Sequence, residues 1–246
     1  MLDGKVIVLT GASRGLGRQA AKAIVEAGGR VALLARASAE LEEVAEGLGI
    51  NALACACDVS NPEDVRVSID AAASHFGGIN ALVNNAAVGG LFRIEDMTDE
   101  HIQKEIGINL MGPIYCIRQA VPHLSKSNGH VVNISSIGVN LPFDMMSLYA
   151  TTKGGLETLS LAMQFELRTH GIRVSTLRLG GLVGEKGITR DWDKEKRKEY
   201  VRAAEESGRM MMAGGFTTFS SAASALLTIL TAPPDGNFRL VEFAGL

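Results

Sequence analysis

Seven short apolar runs recur along the chain, each nearly unbroken, with amphipathic stretches between them. They read KVIVLT (5–10), RVALLA (30–35), ALACAC (52–57), ALVNNA (81–86), HVVNIS (130–135), RVSTLRL (173–179) and NFRLVEF (237–243). A strand with one wet face alternates apolar and polar side chains, whereas an unbroken run is buried on both faces. With helical stretches as the connections, the pattern predicts an α/β fold, a parallel sheet with helices on both faces. RQAAKAIVEAG follows the first run and a helix at about 38–47 the second, while Ser60 and Pro62 mark the start of PEDVRVSIDAAASHFG. A long helix is expected from near Thr98, another around Tyr149, and a last one in SSAASALLTIL. No linker or repeat interrupts the order, so a single domain over 1–246 is expected. Only 184–216 breaks the rhythm, charged in its middle and Met-rich at its end, and it reads as an insertion above the sheet.

A chain of 246 residues, 46% hydrophobic and 21% charged, can bury a full core. Its net charge of −3 gives no basic footprint for nucleic acid or an anionic membrane. No apolar run approaches the ~18 residues of a membrane span. A strand beginning at residue 5 leaves no place for a signal peptide, and a cytoplasmic location is the expectation. Cys55 and Cys57, two apart on an extended run, point the same way, a poor geometry for a disulfide. Neither the cysteines nor the five histidines have zinc-site spacing, so no metal is expected.

TGASRGLG (10–17) joins the first strand to the first helix, with glycines at 11, 15 and 17. Glycines there permit a tight turn and let backbone N–H groups at a helix N-terminus approach a pyrophosphate. The absence of a following Gly-Lys-Ser/Thr excludes a P-loop. An acidic residue ending the second strand would bond the adenosine ribose and repel a 2′-phosphate. This chain has Arg36 there and Arg14 inside the glycine turn, which favours NADP(H) over NAD(H). Asp58 either meets the adenine amino group or caps the helix that follows.

In YATTK (149–153), Tyr149 and Lys153 stand four apart where a helix is entered at about Tyr149. Positions i and i+4 share a helix face, so phenol and ammonium can act on one object. A free phenol ionises only near pH ~10. A neighbouring ammonium stabilises the phenolate and suits the group to acid–base work.

TGASRGLG, the NNA at 84–86, Asn109 in INLMG, Ser136 in NISS and YATTK resemble, in order and spacing, the short-chain dehydrogenase/reductase family. The resemblance covers essentially the whole chain. It implies a Rossmann-type doubly wound parallel sheet of about seven strands and a homotetramer or homodimer built through two long helices. It also places a catalytic tetrad on Asn109, Ser136, Tyr149 and Lys153. In that reading Tyr149 exchanges the proton, Lys153 holds phenolate and nicotinamide ribose, Ser136 donates to the substrate oxygen, and Asn109 holds a water leading to Lys153. Ser135 points the opposite way along the strand and is not the catalytic serine. Cofactor contacts are implied for Gly11, Ser13, Arg14, Gly15, Leu16, Gly17, Arg36, Asp58, Val59, Asn85, Ala86, Gly180 and Leu182, besides Tyr149 and Lys153.

Three positions depart from the family's pattern. Ala87 stands where a glycine is usual and fits if its φ is negative, Leu179 replaces a proline, and Gly184 replaces a threonine that contacts the carboxamide. The resemblance places the substrate cleft between VNLPFDMMSL (139–148) and GLVGEKGITRDW (181–192), with RMMMAGGF (209–216) closing the insertion. Leu141, Phe143, Met145, Met146, Trp192 and Met210–Met212 offer deformable apolar surface, without clustered cations to clamp a carboxylate. Glycines at 184, 187, 208, 214 and 215 would let the insertion close. A bulky hydrophobic ketone or secondary alcohol is the expected substrate. Alternatives are a 3-oxoacyl or steroid reductase, an epimerase or dehydratase, or a non-catalytic NADP(H) sensor.

Overall fold

The computed structural model describes residues 1–184 and 192–246. Seven strands form one parallel sheet: β1 (Val6–Thr10), β2 (Arg30–Ala35), β3 (Ala52–Ala56), β4 (Ala81–Asn84), β5 (His130–Ser136), β6 (Arg173–Leu179) and, last in the chain, β9 (Leu240–Phe243). Their order is β3-β2-β1-β4-β5-β6-β9, every pairing parallel, which is the doubly wound Rossmann-type arrangement. All five β1 residues are buried, as an unbroken apolar run requires. Alternate residues serve opposite layers. Ile7 and Leu9 pack toward α1 (Gly15–Glu26) and α9 (Phe219–Leu230), Val8 toward α3 (Pro62–Phe76) and α5 (Gly112–Leu124).

Several element ends differ from expectation for local reasons. Asn61, not Ser60, caps α3, accepting from Glu63 N at 3.0 Å. Ser60 instead donates its hydroxyl to Asp58 at 2.6 Å. The last strand is shorter than 237–243 because Asn237 turns its amide onto the sheet, donating to Val174 O and accepting from Ser175 Oγ. The helix from Thr98 is interrupted: α4 (Asp99–Ile106) passes through a π-helical turn at Gly107–Met111 before α5. Helix α6 (Ser147–Glu166) begins one half-turn before Tyr149. It docks on β5 through a helically spaced polar row. Lys153 Nζ donates to Ile134 O at 2.7 Å, Glu157 accepts from Ser135 Oγ at 2.6 Å, and Ser160 Oγ accepts from Asn133 Nδ2 at 2.8 Å.

Residues 184–216 leave and rejoin the body at a small parallel ladder, β7 (Gly181–Val183) with β8 (Phe216–Thr218), which the sequence did not suggest. Between them lie α7 (Lys194–Glu206) and α8 (Arg209–Met212), while Gly187 and its neighbours at 185–191 fall outside the described residues. Helix α2 (Ala39–Leu48) covers β2 and β3, started by Ser38, whose side chain accepts from Leu41 N. Among the described residues no helix is long and apolar enough to cross a membrane, and no group of side chains is arranged to hold a metal ion.

Candidate active site

Strand order reverses at β1, whose neighbours are β2 and β4, and the carboxyl ends around such a switch point form a crevice. A cavity of about 1610 Å³ opens there. It is lined by Arg14, Gly15 and Leu16 from the glycine turn, Arg36 after β2, Asn85, Ser136, Tyr149 and Lys153, and Gly180 and Leu182 after β6. Ten of the expected site residues thus share one cavity. Gly11, Ser13, Gly17, Asp58, Val59, Ala86 and Asn109 are not among the lining residues, and most of them make contacts that shape its walls.

Gly11 has φ +66°, and a Cβ there would lie 2.8 Å from Ala86 Cα, so turn and Ala86 backbone are in direct contact. A Cβ on Gly17 would strike the Gly11 carbonyl. Thr10 Oγ1 accepts from both Asn85 N and Ala86 N at 3.0 Å, and Asn85 Nδ2 donates to Thr10 O and Gly11 O. These contacts fix the turn's shape, a bracing role that Asn85 performs beside lining the cavity. The first turn of α1 carries no acidic residue, leaving its N-terminus favourable to an anion. Asp58 folds back instead: its Oδ1 accepts from Ser60 N and Oγ, and the Ser60 hydroxyl holds its carboxyl below the usual range. Asp58 does not cap α3, a place that Asn61 takes. Val59 is buried against Gly112 and belongs to the core.

Lys153 is 2% exposed, its ammonium 5.9 Å from the Tyr149 ring centroid. Ser136, ending β5, faces the cavity, with Oγ accepting from Gly138 N at 3.2 Å. Ser135 also borders the cavity, but its hydroxyl is donated to Glu157, which Arg178 bridges to the half-exposed Glu242. The hydrogen bond from Arg178 to Glu157 raises the guanidinium pKa despite its burial. Asn109, fully buried in the π-helical turn, accepts from Val88 N at 2.9 Å and donates to Val88 O at 2.8 Å and Thr152 Oγ1 at 3.1 Å. Both amide protons are taken, so its side chain braces the 88 segment against α6. A π-turn at such a position often marks a functional site.

The far end of the cavity is lined by Phe143, Met146, Trp192, Tyr200 and Met210. Met211 and Met212 point outward, 90% and 72% exposed, while Leu141 and Met145 do not line the cavity; Met145 is buried beneath it at φ +61°. Outside the three apolar segments, Lys104 and Arg197 also line the cavity, with His101 near Lys104. Burial holds the His101 imidazole below its ordinary pKa, with Lys104 and Lys196 adding to the effect. Ala87 lines the cavity without a positive φ, so its methyl is tolerated. Sequence reasoning missed Tyr200, Phe219 and Gly89 as lining residues; the paired glycines of VGGLF after NNAA were the available signal for Gly89.

The family model for short chain dehydrogenases matches residues 5–195. An uncharacterised oxidoreductase of Methylorubrum extorquens is 35% identical over 188 residues, which is 75% of this chain and 75% of that protein. An alcohol dehydrogenase of the archaeon Thermococcus sibiricus, solved with 5-hydroxy-NADP, superposes with TM-score 0.83 at 26% identity over 98% of this chain and 97% of its own. A 3-ketoacyl-(acyl-carrier-protein) reductase of Brucella melitensis, solved with NADH, gives 0.82 at 27% identity, over 100% and 98%. The chain belongs to the short chain dehydrogenase family of oxidoreductases.

Proposed function

We propose that this protein interconverts a ketone and a secondary alcohol using NADP(H). The observation that carries the reading is the convergence of Tyr149, Lys153 and Ser136 on the cavity that the glycine turn also lines. The cradle fits a dinucleotide: Gly11 and Gly17 leave no room for side chains where the turn folds, and α1 opens without a carboxylate. Arg14 and Arg36, both exposed on the cavity rim, suit a 2′-phosphate, and β2 ends with no acidic residue to repel it. When bound, the nicotinamide supplies or accepts the hydride.

The chain's own groups handle the proton and the charge. Tyr149 gives its phenolic proton to the carbonyl oxygen in reduction and takes it back in oxidation. Lys153, held by Ile134 O, keeps a positive charge beside the ring that favours phenolate. Ser136 donates to the substrate oxygen as negative charge develops there, which is useful because the donor is already in place. Asn109 acts through Val88 and Thr152 as a positioning residue. Phe143, Met146, Trp192 and Met210 favour a bulky apolar substrate in a domain of 246 residues in which residues between 192 and 216 form one cavity wall. Leu161 and Phe165, 55% and 65% exposed on α6, suit a homodimer or homotetramer contact, and a cytoplasmic enzyme is the simplest setting.

NADPH consumption measured with a ketone panel tests this reading. Turnover is expected, with higher kcat/KM for phenyl or long-alkyl ketones than for acetone, pyruvate or acetoacetate, each well-buried methylene contributing up to about 0.8 kcal/mol. NADPH binding without turnover of any carbonyl would point instead to a sensor.

A further inference from the structure

We propose that Trp192 is a positioning residue for Tyr149, acting through the carbonyl of Gly89. The inference rests on the reading of Tyr149 as the acid–base group. Residues 88–92 form a strip of backbone whose polar groups are held from several sides. Asn109 takes both polar groups of Val88, Glu105 Oε2 lies 3.4 Å from Gly90 N, and Phe92 N donates to Met145 O at 2.9 Å. Gly89 O accepts from Trp192 Nε1 at 2.8 Å, across 103 residues of sequence.

This strip is also the surface on which the Tyr149 ring lies. A Cβ added to Gly89 would sit 2.9 Å from Tyr149 Cδ2 and 3.4 Å from Cε2, closer than side-chain carbons pack. Close-packed contacts of that kind transmit small displacements. The indole is itself fixed by Tyr200, with ring centroids 5.4 Å apart, and Tyr200 packs on Phe143 at 5.9 Å. Two more contacts of α7 reach the same stretch: Lys196 lies 3.7 Å over the Phe92 ring, and Glu199 pairs with Arg93. The wall contributed by 192–200 therefore sets the height of the strip, and the strip sets the ring. A misplacement of about 1 Å at a reacting group can lower rate by ~100-fold.

Trp192 is the only tryptophan, and Tyr115, Tyr149 and Tyr200 are the only tyrosines, so ring-labelled tyrosine gives three NMR signals. The Tyr149 signal is assigned with Tyr149→Phe. Trp192→Phe keeps an aromatic wall but removes the donor, Gly89→Ala pushes the ring directly, and Gly47→Ala, where a Cβ meets nothing within 4 Å, is the control. Trp192→Phe is expected to lower kcat at least threefold, by the same factor on acetone and on a phenyl ketone, with NADPH affinity within twofold of wild type. Gly89→Ala is expected to lower kcat at least tenfold and shift the Tyr149 signal, while Gly47→Ala changes neither. A role as cavity wall alone would raise KM for the phenyl ketone, spare acetone and keep kcat, and that result overturns the proposal. Should Trp192→Phe not fold, Gly89→Ala decides: an unmoved Tyr149 signal refutes the coupling whatever the activity. Failure of the functional reading looks different, since Tyr149→Phe would then retain turnover.

Discussion

Replacing Arg36 with aspartate should redirect cofactor choice. Arg36 is the first residue past β2, exposed on the cavity rim with Arg14, and no carboxylate ends that strand. A charge-assisted hydrogen bond from a guanidinium to a phosphate is worth about 1.5–3 kcal/mol. Exposure and a Debye length of about 8 Å at physiological salt put this one at the lower end. A carboxylate in its place adds repulsion of about 1 kcal/mol at a separation of ~4 Å in water. The sum of about 2.5 kcal/mol corresponds to roughly 60-fold weaker NADPH binding at ~1.4 kcal/mol per tenfold. NADH has no 2′-phosphate and should bind within a few-fold of its wild-type affinity, so the preference narrows or inverts. Dissociation constants from cofactor fluorescence, taken at low and high salt, check both parts, and the NADPH penalty should shrink as salt rises. Equal weakening of the two cofactors, or wild-type protein that binds NADH as well as NADPH, would refute the argument.

Acid should unfold the protein early because of His130. Burial, with Arg173 adding to it, pushes this imidazole from 6.5 down to about 3. The unfolded chain takes up a proton below pH ~6.5 and the folded chain does not until pH ~3, so stability falls with pH across that window by ~1.4 kcal/mol per unit. About 2 kcal/mol should be gone by pH 5, and denaturant melts of His130→Gln should lose that part of the slope; parallel curves for the two proteins would rule it out. The exposed apolar pair on α6 predicts assembly: Leu161→Glu with Phe165→Glu should reduce the oligomer to a smaller species in sedimentation, and an unchanged mass would place the contact elsewhere. Gly17→Val should remove NADPH binding by driving a side chain into the Gly11 carbonyl, detectable as at least a hundredfold loss of affinity in a protein whose far-UV spectrum is unchanged.

The strands were legible because burial on both faces leaves an unbroken apolar run, and this held for β1, β2, β4, β5 and β6, whereas the edge strand β3 is apolar but only half-buried. The parallel sense followed from the helical connections. Harder to read were features made by one side chain turning back. Asn237 shortened the final strand, and Asp58 bonds Ser60 while Asn61 caps the helix. In the site, the Tyr149–Lys153 pair was legible from helical spacing and Ser136 from the resemblance to the family's pattern, and all three line the cavity. Asn109 was found but its partners were not, since Val88 and Thr152 lie 21 and 43 residues away and no local rule pairs them. The Trp192 contact to Gly89 has the same origin. Apolar composition at 139–148 and 209–216 suggested a greasy cleft, but composition carries no direction, and Met211 and Met212 proved to face outward.

The central claim is that Tyr149 moves the proton while neighbouring groups bind and hold. Single-turnover absorbance at the NADPH band, with excess of the best ketone and protein carrying Tyr149→Phe, tests it most directly. The variant keeps the ring that rests on Gly89 and should bind NADPH within about twofold of wild type, because the hydroxyl acts on the reacting oxygen. A positioned acid contributes about 10²–10⁴-fold, so NADPH oxidation in the pre-formed complex should slow by at least a hundredfold. A variant that binds NADPH normally and oxidises it at a rate within tenfold of wild type would contradict the account.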